Sequence, residues 1–167
     1  MFNAALIELL PRLRRYAWAL VGNKEAADDL VQDTIKRAID KKRLWHREKK
    51  LRPWLFTIMH NIYVNDMIKA SRKSGIEIAD EDMSRHAALD KPEDHNEFHQ
   101  VCKAIQQLPD DQRQIILLVG LEQLSYKEVS SILDLPIGTV TSRLARGRAQ
   151  LRSIIEGKTA ISLKRIK

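Results

Sequence analysis

Residues 124–148 read LSYKEVSSILDLPIGTVTSRLARGR. Ser125 and Glu128 have the S-x-x-E form of a capping box, in which each side chain satisfies a backbone N–H left free by the first helical turn. The helix they open carries Val129, Ile132 and Leu133 inward, at the spacing of one helical face. Asp134-Leu135-Pro136 breaks it, because proline supplies no backbone donor and disfavours helix in the residue before it. The apolar spacing predicts a second helix from about Ile137 to Ile155, with Val140, Leu144 and Leu151 on one side. Two helices across a short turn, the second strongly basic, have the form of a helix-turn-helix.

Arg143, Arg146, Arg148 and Arg152 occur on that second helix with no acidic residue between Ile137 and Arg152. Its start offers the small polar side chains Thr139, Thr141 and Ser142. Such an end can enter a major groove, where backbone N–H groups face phosphate and arginine bonds guanine edges or phosphate. The candidate duplex contacts are Ser125, Tyr126, Thr139, Thr141, Ser142, Arg143, Arg146 and Arg148. The competing reading is a solvated basic face, which the helix macrodipole also favours near a C-terminus. The capping box, the proline turn and the small polar entry weigh towards DNA.

Apolar spacing is helical elsewhere too. Leu6, Leu9, Leu10, Leu13 and Leu20 mark a first helix, with Asn3 as N-cap and Gly22 as stop. Ala26, Leu30, Val31, Thr34, Ile35 and Ala38 mark a second. Pro53 fits the first turn of a third, ahead of Trp54, Leu55, Ile58 and Ile62. Further helices are expected over 95–107 and from Asp110 or Asp111 through Leu118. The fold class is therefore all-α.

The 167-residue chain carries a formal net charge of +7, unevenly spread. Residues 1–75 hold 16 Lys and Arg against 8 Asp and Glu; residues 76–99 hold 2 against 8. The acidic stretch contains Gly75 and Pro92 and lacks a clean helical period, which reads as a flexible linker between two small helical domains. The expected division is a first domain at 1–74, an acidic linker at 75–94, a second domain at 95–157 and a basic tail at 158–167. The basic balance favours a polyanionic partner. A single cysteine, Cys102, fits a reducing cytoplasm. No signal peptide and no stretch long enough to cross a bilayer is read from the sequence, so a cytoplasmic protein without membrane insertion is expected.

Two patches mark the first domain. Asp28, Asp29, Gln32 and Asp33 cluster on the second helix, with Asp29 and Asp33 four apart on one face. Acids near a helix N-terminus are favourable in themselves, but like charges at that spacing repel unless a basic partner meets them. The patch suggests protein contact. Residues 41–52, KKRLWHREKKLR, hold seven Lys and Arg, one Glu and Trp45. Cations around an aromatic suit single-stranded nucleic acid, where a base stacks and phosphates are neutralised. A solvated loop with Trp45 tucked into the core fits equally well on these residues alone.

These motifs together resemble a known family. Asp28-Asp29 with Leu30-Val31-Gln32-Asp33-Thr34 is similar to the core-binding segment of region two of bacterial sigma factors. Arg52-Pro53-Trp54-Leu55-Phe56-Thr57-Ile58, followed by Asn61, resembles the adjoining promoter-melting segment. Leu108-Pro109-Asp110-Asp111-Gln112-Arg113, Leu124-Ser125-Tyr126-Lys127-Glu128 and the run Pro136 to Leu144 resemble region four. With nothing between the two halves that fits a further region, the chain resembles the small extracytoplasmic-function type, and its N-terminal half resembles subgroups that include general-stress factors. Ser130, where the family often has Ala, and Thr141, where it often has a basic residue, depart from the pattern.

The resemblance implies a factor that binds core RNA polymerase, directs it to promoters and helps open them, under control of an anti-sigma factor. Asp28, Asp29, Gln32 and Asp33 would dock on the β′ clamp, and region four would meet the β flap. Lys41, Arg43, Trp45, Arg47, Lys49, Lys50, Arg52 and Asn61 would hold the unpaired −10 strand. The helix from about 137 would read the −35 element as duplex, and the acidic linker would run towards the RNA path. The alternative is a stand-alone helix-turn-helix regulator, which needs neither the acidic face nor the first domain.

No phosphate-cradling, dinucleotide, metalloprotease or nucleophile-elbow motif occurs in the sequence, so no catalysis and no cofactor is expected. His95, His99 and Cys102 stand at i, i+4 and i+7, a spacing that could hold zinc. A polar helix start with Cys102 half-buried is the preferred reading, with no metal.

Overall fold

The computed structural model describes residues 1–74 and 97–166, with side chains through Gly157. Among the described residues there are seven α-helices and no strand. They are α1 (Phe2–Val21), α2 (Lys24–Asp40), α3 (Leu51–Ser74), α4 (Glu97–Gln106), α5 (Asp110–Ile116), α6 (Tyr126–Leu133) and α7 (Ile137–Ile166). A 3-10 turn covers Lys42–Leu44, and a π-helical turn at Leu117–Leu121 follows α5. The proposed acidic linker at 75–94, and His95, lie outside the described residues.

In α1, Leu6, Leu13 and Leu20 recur every seventh residue and are buried. Gly22 ends the helix as expected, at φ 71° with its N–H on the Trp18 carbonyl at 2.8 Å. Glycine alone takes that left-handed position without steric cost. Asn3 does not cap the helix: α1 begins at Phe2, whose ring packs on Trp45 and Trp54. The cap that does form is Asn23, whose Oδ1 accepts from Ala26 N–H at 3.1 Å to open α2. α2 buries Ala27, Leu30, Val31, Thr34 and Ala38, so Ala27 takes the inward place expected for Ala26. Pro53 falls in the first turn of α3, where its missing N–H breaks no helical bond. α3 buries Leu51, Leu55, Phe56, Ile58, Met59, Ile62 and Tyr63, because it packs against α2 and also against α6.

The capping box forms as read: Ser125 N–H donates to Glu128 Oε2 at 2.9 Å, and Glu128 N–H donates to Ser125 Oγ at 3.1 Å. Asp134 closes α6 in the left-handed region at φ 53°, a place that aspartate tolerates better than most residues. The Ser130 hydroxyl donates to the Leu135 carbonyl and ties the turn to α6. α7 runs to Ile166 instead of ending near Ile155. No proline stops it, and Gly157 inside a helix costs only about 1 kcal/mol. The backbone of the expected tail from 158 is thus helical to Ile166. The π-helical turn has no signal in the sequence. It is closed by Glu122 N–H on the Leu117 carbonyl and Leu124 N–H on that of Leu118.

The two halves meet along a buried seam, and their apolar residues form one continuous core. Trp18 of α1 stacks on Phe98 of α4, with centroids 5.7 Å apart. Arg113, 3% exposed, donates to the carbonyls of Ile105 (3.3 Å), Gln106 (3.1 Å), Leu108 (2.9 Å) and, across the seam, Leu20 (3.2 Å). The Gln106 amide donates to the Ala19 carbonyl. The last carbonyls of α1, which have no partner within their own helix, are therefore capped from the other half. Below them, Tyr63 donates to Asp110 Oδ1, and Gln114 Nε2 donates to Asp110 Oδ2 at 2.8 Å. That bond fixes the amide, so His60 Nδ1 carries the proton that it shares with Gln114 Oε1 at 2.7 Å. Burial holds the His60 pKa below its ordinary value.

Glu122 is the anomaly of the seam. It is fully buried, neither carboxylate oxygen has a hydrogen bond, and Arg12 Nη1 stands 3.6 Å away. Burial raises its pKa against the pull of Arg12, Arg15 and Arg52, so the ionised carboxylate opposes folding. Glu122→Gln should raise the unfolding free energy by on the order of 1 kcal/mol at pH 7. In chemical denaturation the gain should shrink on acidification and be gone below about pH 4, where the carboxyl is protonated in folded and unfolded chains alike. A pH-independent difference contradicts this account of Glu122.

Candidate nucleic-acid and protein interfaces

Asp28, Asp29, Gln32 and Asp33 all project from the exposed side of α2. The opposite side of the helix is held by Leu30, Val31 and Thr34, whose hydroxyl donates to the Leu30 carbonyl at 2.7 Å. Among the described residues no ion pair or hydrogen bond engages any of the three aspartates. The face is an uncompensated negative patch on a rigid helix. Asp33 also borders a charged groove between α2 and α3, with Lys36, Arg37, Lys69 and Arg72 along it.

The basic loop runs from the 3-10 turn to the start of α3. Lys41, Arg43, Arg47, Lys49 and Lys50 are exposed, and Arg52 is half-buried. Trp45 is half-buried and takes part of each reading offered for it. Its indole N–H donates to the Lys49 carbonyl at 2.9 Å, which folds the loop, and its ring leans on Phe2 at 5.6 Å. Phe2 in turn meets Trp54 edge-on at 6.3 Å. Asn61 is exposed on α3 but nine residues beyond Arg52, so it lies about half a turn round the helix from it. Seven residues separate Asn61 from Trp54, which puts those two on one face. Trp54 was not among the expected contacts; helical spacing from Asn61 was the signal that pointed to it.

On α7 the buried side is made by Val140, Leu144 and Gly147. Gly147 lies so close to α5 that a Cβ there would meet Ile116 Cγ1 at 3.1 Å. The opposite, exposed side carries Gly138, Thr141, Ser142, Ala145, Arg146 and Arg148. Thr141 and Ser142 turn their hydroxyls back to the Ile137 and Thr139 carbonyls, at 2.9 and 3.1 Å. Arg143 and Thr139 do not share this face. They stand at its buried edge, and Arg143 Nε lies 3.7 Å from Asp111 Oδ2 on α5. Ser125 is exposed but committed to the capping box, and Tyr126 is exposed beside it. Ala145 went unnoticed because a lone alanine carries no chemical signal; only the helical wheel puts it in the middle of the reading face.

His99 and Cys102 are buried in the seam of α1 and α4, with the His99 ring 5.5 Å from Trp18. Burial pushes the Cys102 thiol up to about 11, so it stays protonated, and protonated thiols are poor metal ligands. His95 lies outside the described residues. Among the described residues there is no cluster of three metal-ligating side chains, and no helix is long and apolar enough to cross a membrane.

Comparison with known proteins matches both halves. Residues 6–60 match the family model of the sigma2 domain of PhyR, and residues 99–151 match that of sigma-70 region 4. The ECF RNA polymerase sigma factor EcfG of Rhodopseudomonas palustris (strain TIE-1) is 35% identical over 153 residues, covering 90% of this chain and 82% of that one. Among solved structures, the sigma factor RpoE of Bartonella quintana, in complex with the anti-sigma factor NepR, superposes with a TM-score of 0.80 at 31% identity. That match covers 93% of this chain and 96% of RpoE. CnrH, in complex with the cytosolic domain of CnrY, shares the fold with a TM-score of 0.64 at 22% identity, covering 93% of this chain and 90% of CnrH. Motifs in both halves, the helical architecture and a relative alike over nearly the whole length agree: this chain belongs to the extracytoplasmic-function family of RNA polymerase sigma factors.

Proposed function

We propose that this sigma factor divides its work among three surfaces of different chemistry. The acidic face of α2 docks on the clamp of the polymerase β′ subunit, and the helix-turn-helix half meets the β flap. The loop 41–52, with Trp54 and Asn61 on α3, receives the unpaired −10 strand. Its cations neutralise phosphate, and the Phe2–Trp45–Trp54 group offers aromatic surface to bases. The exposed side of α7 enters the −35 major groove, with small residues at Gly138, Thr141, Ser142 and Ala145 and with Arg146 and Arg148 as donors. The reading places the protein in the cytoplasm with polymerase, in a stress response, and under control of a small anti-sigma protein of the kind bound to RpoE.

The observation that carries this reading is the unpaired acidic face on a half that also bears a basic, aromatic loop. A stand-alone regulator would read its operator with α6 and α7 and needs neither. Asp29→Lys with Asp33→Lys should abolish association with core polymerase in a pull-down while leaving binding to a −35 duplex intact. Equal loss of both would show that the face serves the fold.

Within α7, Arg146→Ala should weaken −35 duplex binding by about 1–3 kcal/mol. Arg143→Ala loses only a half-exposed ion pair, worth about 0–1 kcal/mol, and should change duplex affinity little. A fluorescence-anisotropy titration that ranks Arg143 above Arg146 contradicts the assignment of the reading face.

A further inference from the structure

The surfaces assigned above to the −10 and −35 elements touch one another. Lys50 Nζ, in the basic loop, lies 3.8 Å from Glu128 Oε1 in the capping box of α6. α6 packs along α3, and Arg143 lines a cleft with His60, Val64 and Met67 of α3. Promoter elements centred about 25 base pairs apart are about 85 Å apart along a duplex. A compact chain of this length has a radius of gyration of only about 15 Å. One copy in this arrangement cannot hold both elements of one promoter.

We infer that the seam is a latch: the chain closes on itself by docking its helix-turn-helix half on α3 and on the end of α1, and it must open before it holds a promoter. The inference rests on the reading of the two DNA surfaces given above.

The construction of the seam fits a contact made to come apart. Arg113 takes three of its four carbonyls from its own half and only that of Leu20 from the other. Opening therefore removes one bond and leaves the guanidinium satisfied. Asp110 likewise loses Tyr63 but keeps Gln114. The freed carbonyls of Ala19 and Leu20 end a helix and pass to water, which replaces their bonds at small net cost. Against these holding contacts stands Glu122, buried without a hydrogen bond. It faces Arg12 and Arg15 from α1 and Arg52 from α3, and opening would hydrate it. A seam held by a few polar bonds and opposed by one buried charge is poised between closed and open.

A covalent lock tests the latch. Lys50→Cys with Glu128→Cys in the full chain, joined by a short bis-maleimide, holds the seam shut; Cys102 is buried and stays unmodified. With core polymerase, the joined chain should form open complexes at least about tenfold less well than the same chain left unjoined, since the lock removes the competent population. Equal activity overturns the latch. Small-angle scattering of the free protein is the second measurement and needs no polymerase. The wild type should be compact, and Tyr63→Phe with Lys50→Glu, which removes one seam bond and sets two carboxylates against each other, should expand it. A wild type already as expanded as the variant overturns closure. Failure of the wild type and the unjoined chain alike to initiate would instead strike the functional reading, while the scattering still decides closure.

Discussion

The buried guanidinium of Arg113 is the constraint on which the arrangement of this chain depends. Four backbone carbonyls converge on it, from the end of α4, from the turn into α5 and from the end of α1. A charge so deeply buried is tolerated only when its donors are satisfied, and each carbonyl that it takes is one that a helix end leaves free. One residue thus fixes the entry to the helix-turn-helix half and its position against the first three helices. The same geometry brings α6 onto α3 and gives α3 two buried sides, which explains the breadth of its apolar surface.

Much of this was legible in the sequence, for reasons that differ by element. The capping box at Ser125 and Glu128, the stop at Gly22 and the first-turn Pro53 are local bargains between a side chain and its own backbone, so spacing alone reveals them. The buried stripes of α1 and α2 follow from the helical period. What escaped was set by distant contacts. Phe2 draws the start of α1 past Asn3 because Trp45 and Trp54 lie beneath it. Glu122 looks like any surface glutamate until the π-helical turn carries it inside. Arg143 and Arg146 are indistinguishable by composition; only the register of α7 against α5 sends one to Asp111 and the other to solvent.

Charge is sorted by task along the chain. Acids stand unpaired where a protein partner is called for, and cations gather around an aromatic where single-stranded bases are called for. A basic helix carries small residues in the middle of its exposed face, where close approach to a groove is called for. Ser130 and Thr141, which depart from the family pattern, are accommodated locally, the first by closing the turn onto Leu135 and the second by bonding its own helix. Neither disturbs the frame, and Thr141 stays on the reading face, so it bears on which promoters are chosen.

The central claim is that this chain gives core polymerase the ability to recognise and melt a promoter. Permanganate reactivity of thymines across a promoter tests it most directly. The account predicts unpaired thymines at the −10 element only when core polymerase and this protein are both present, together with protection of the −35 duplex. Protection of a duplex site by the protein alone, with no core-dependent melting under any promoter sequence, would contradict it.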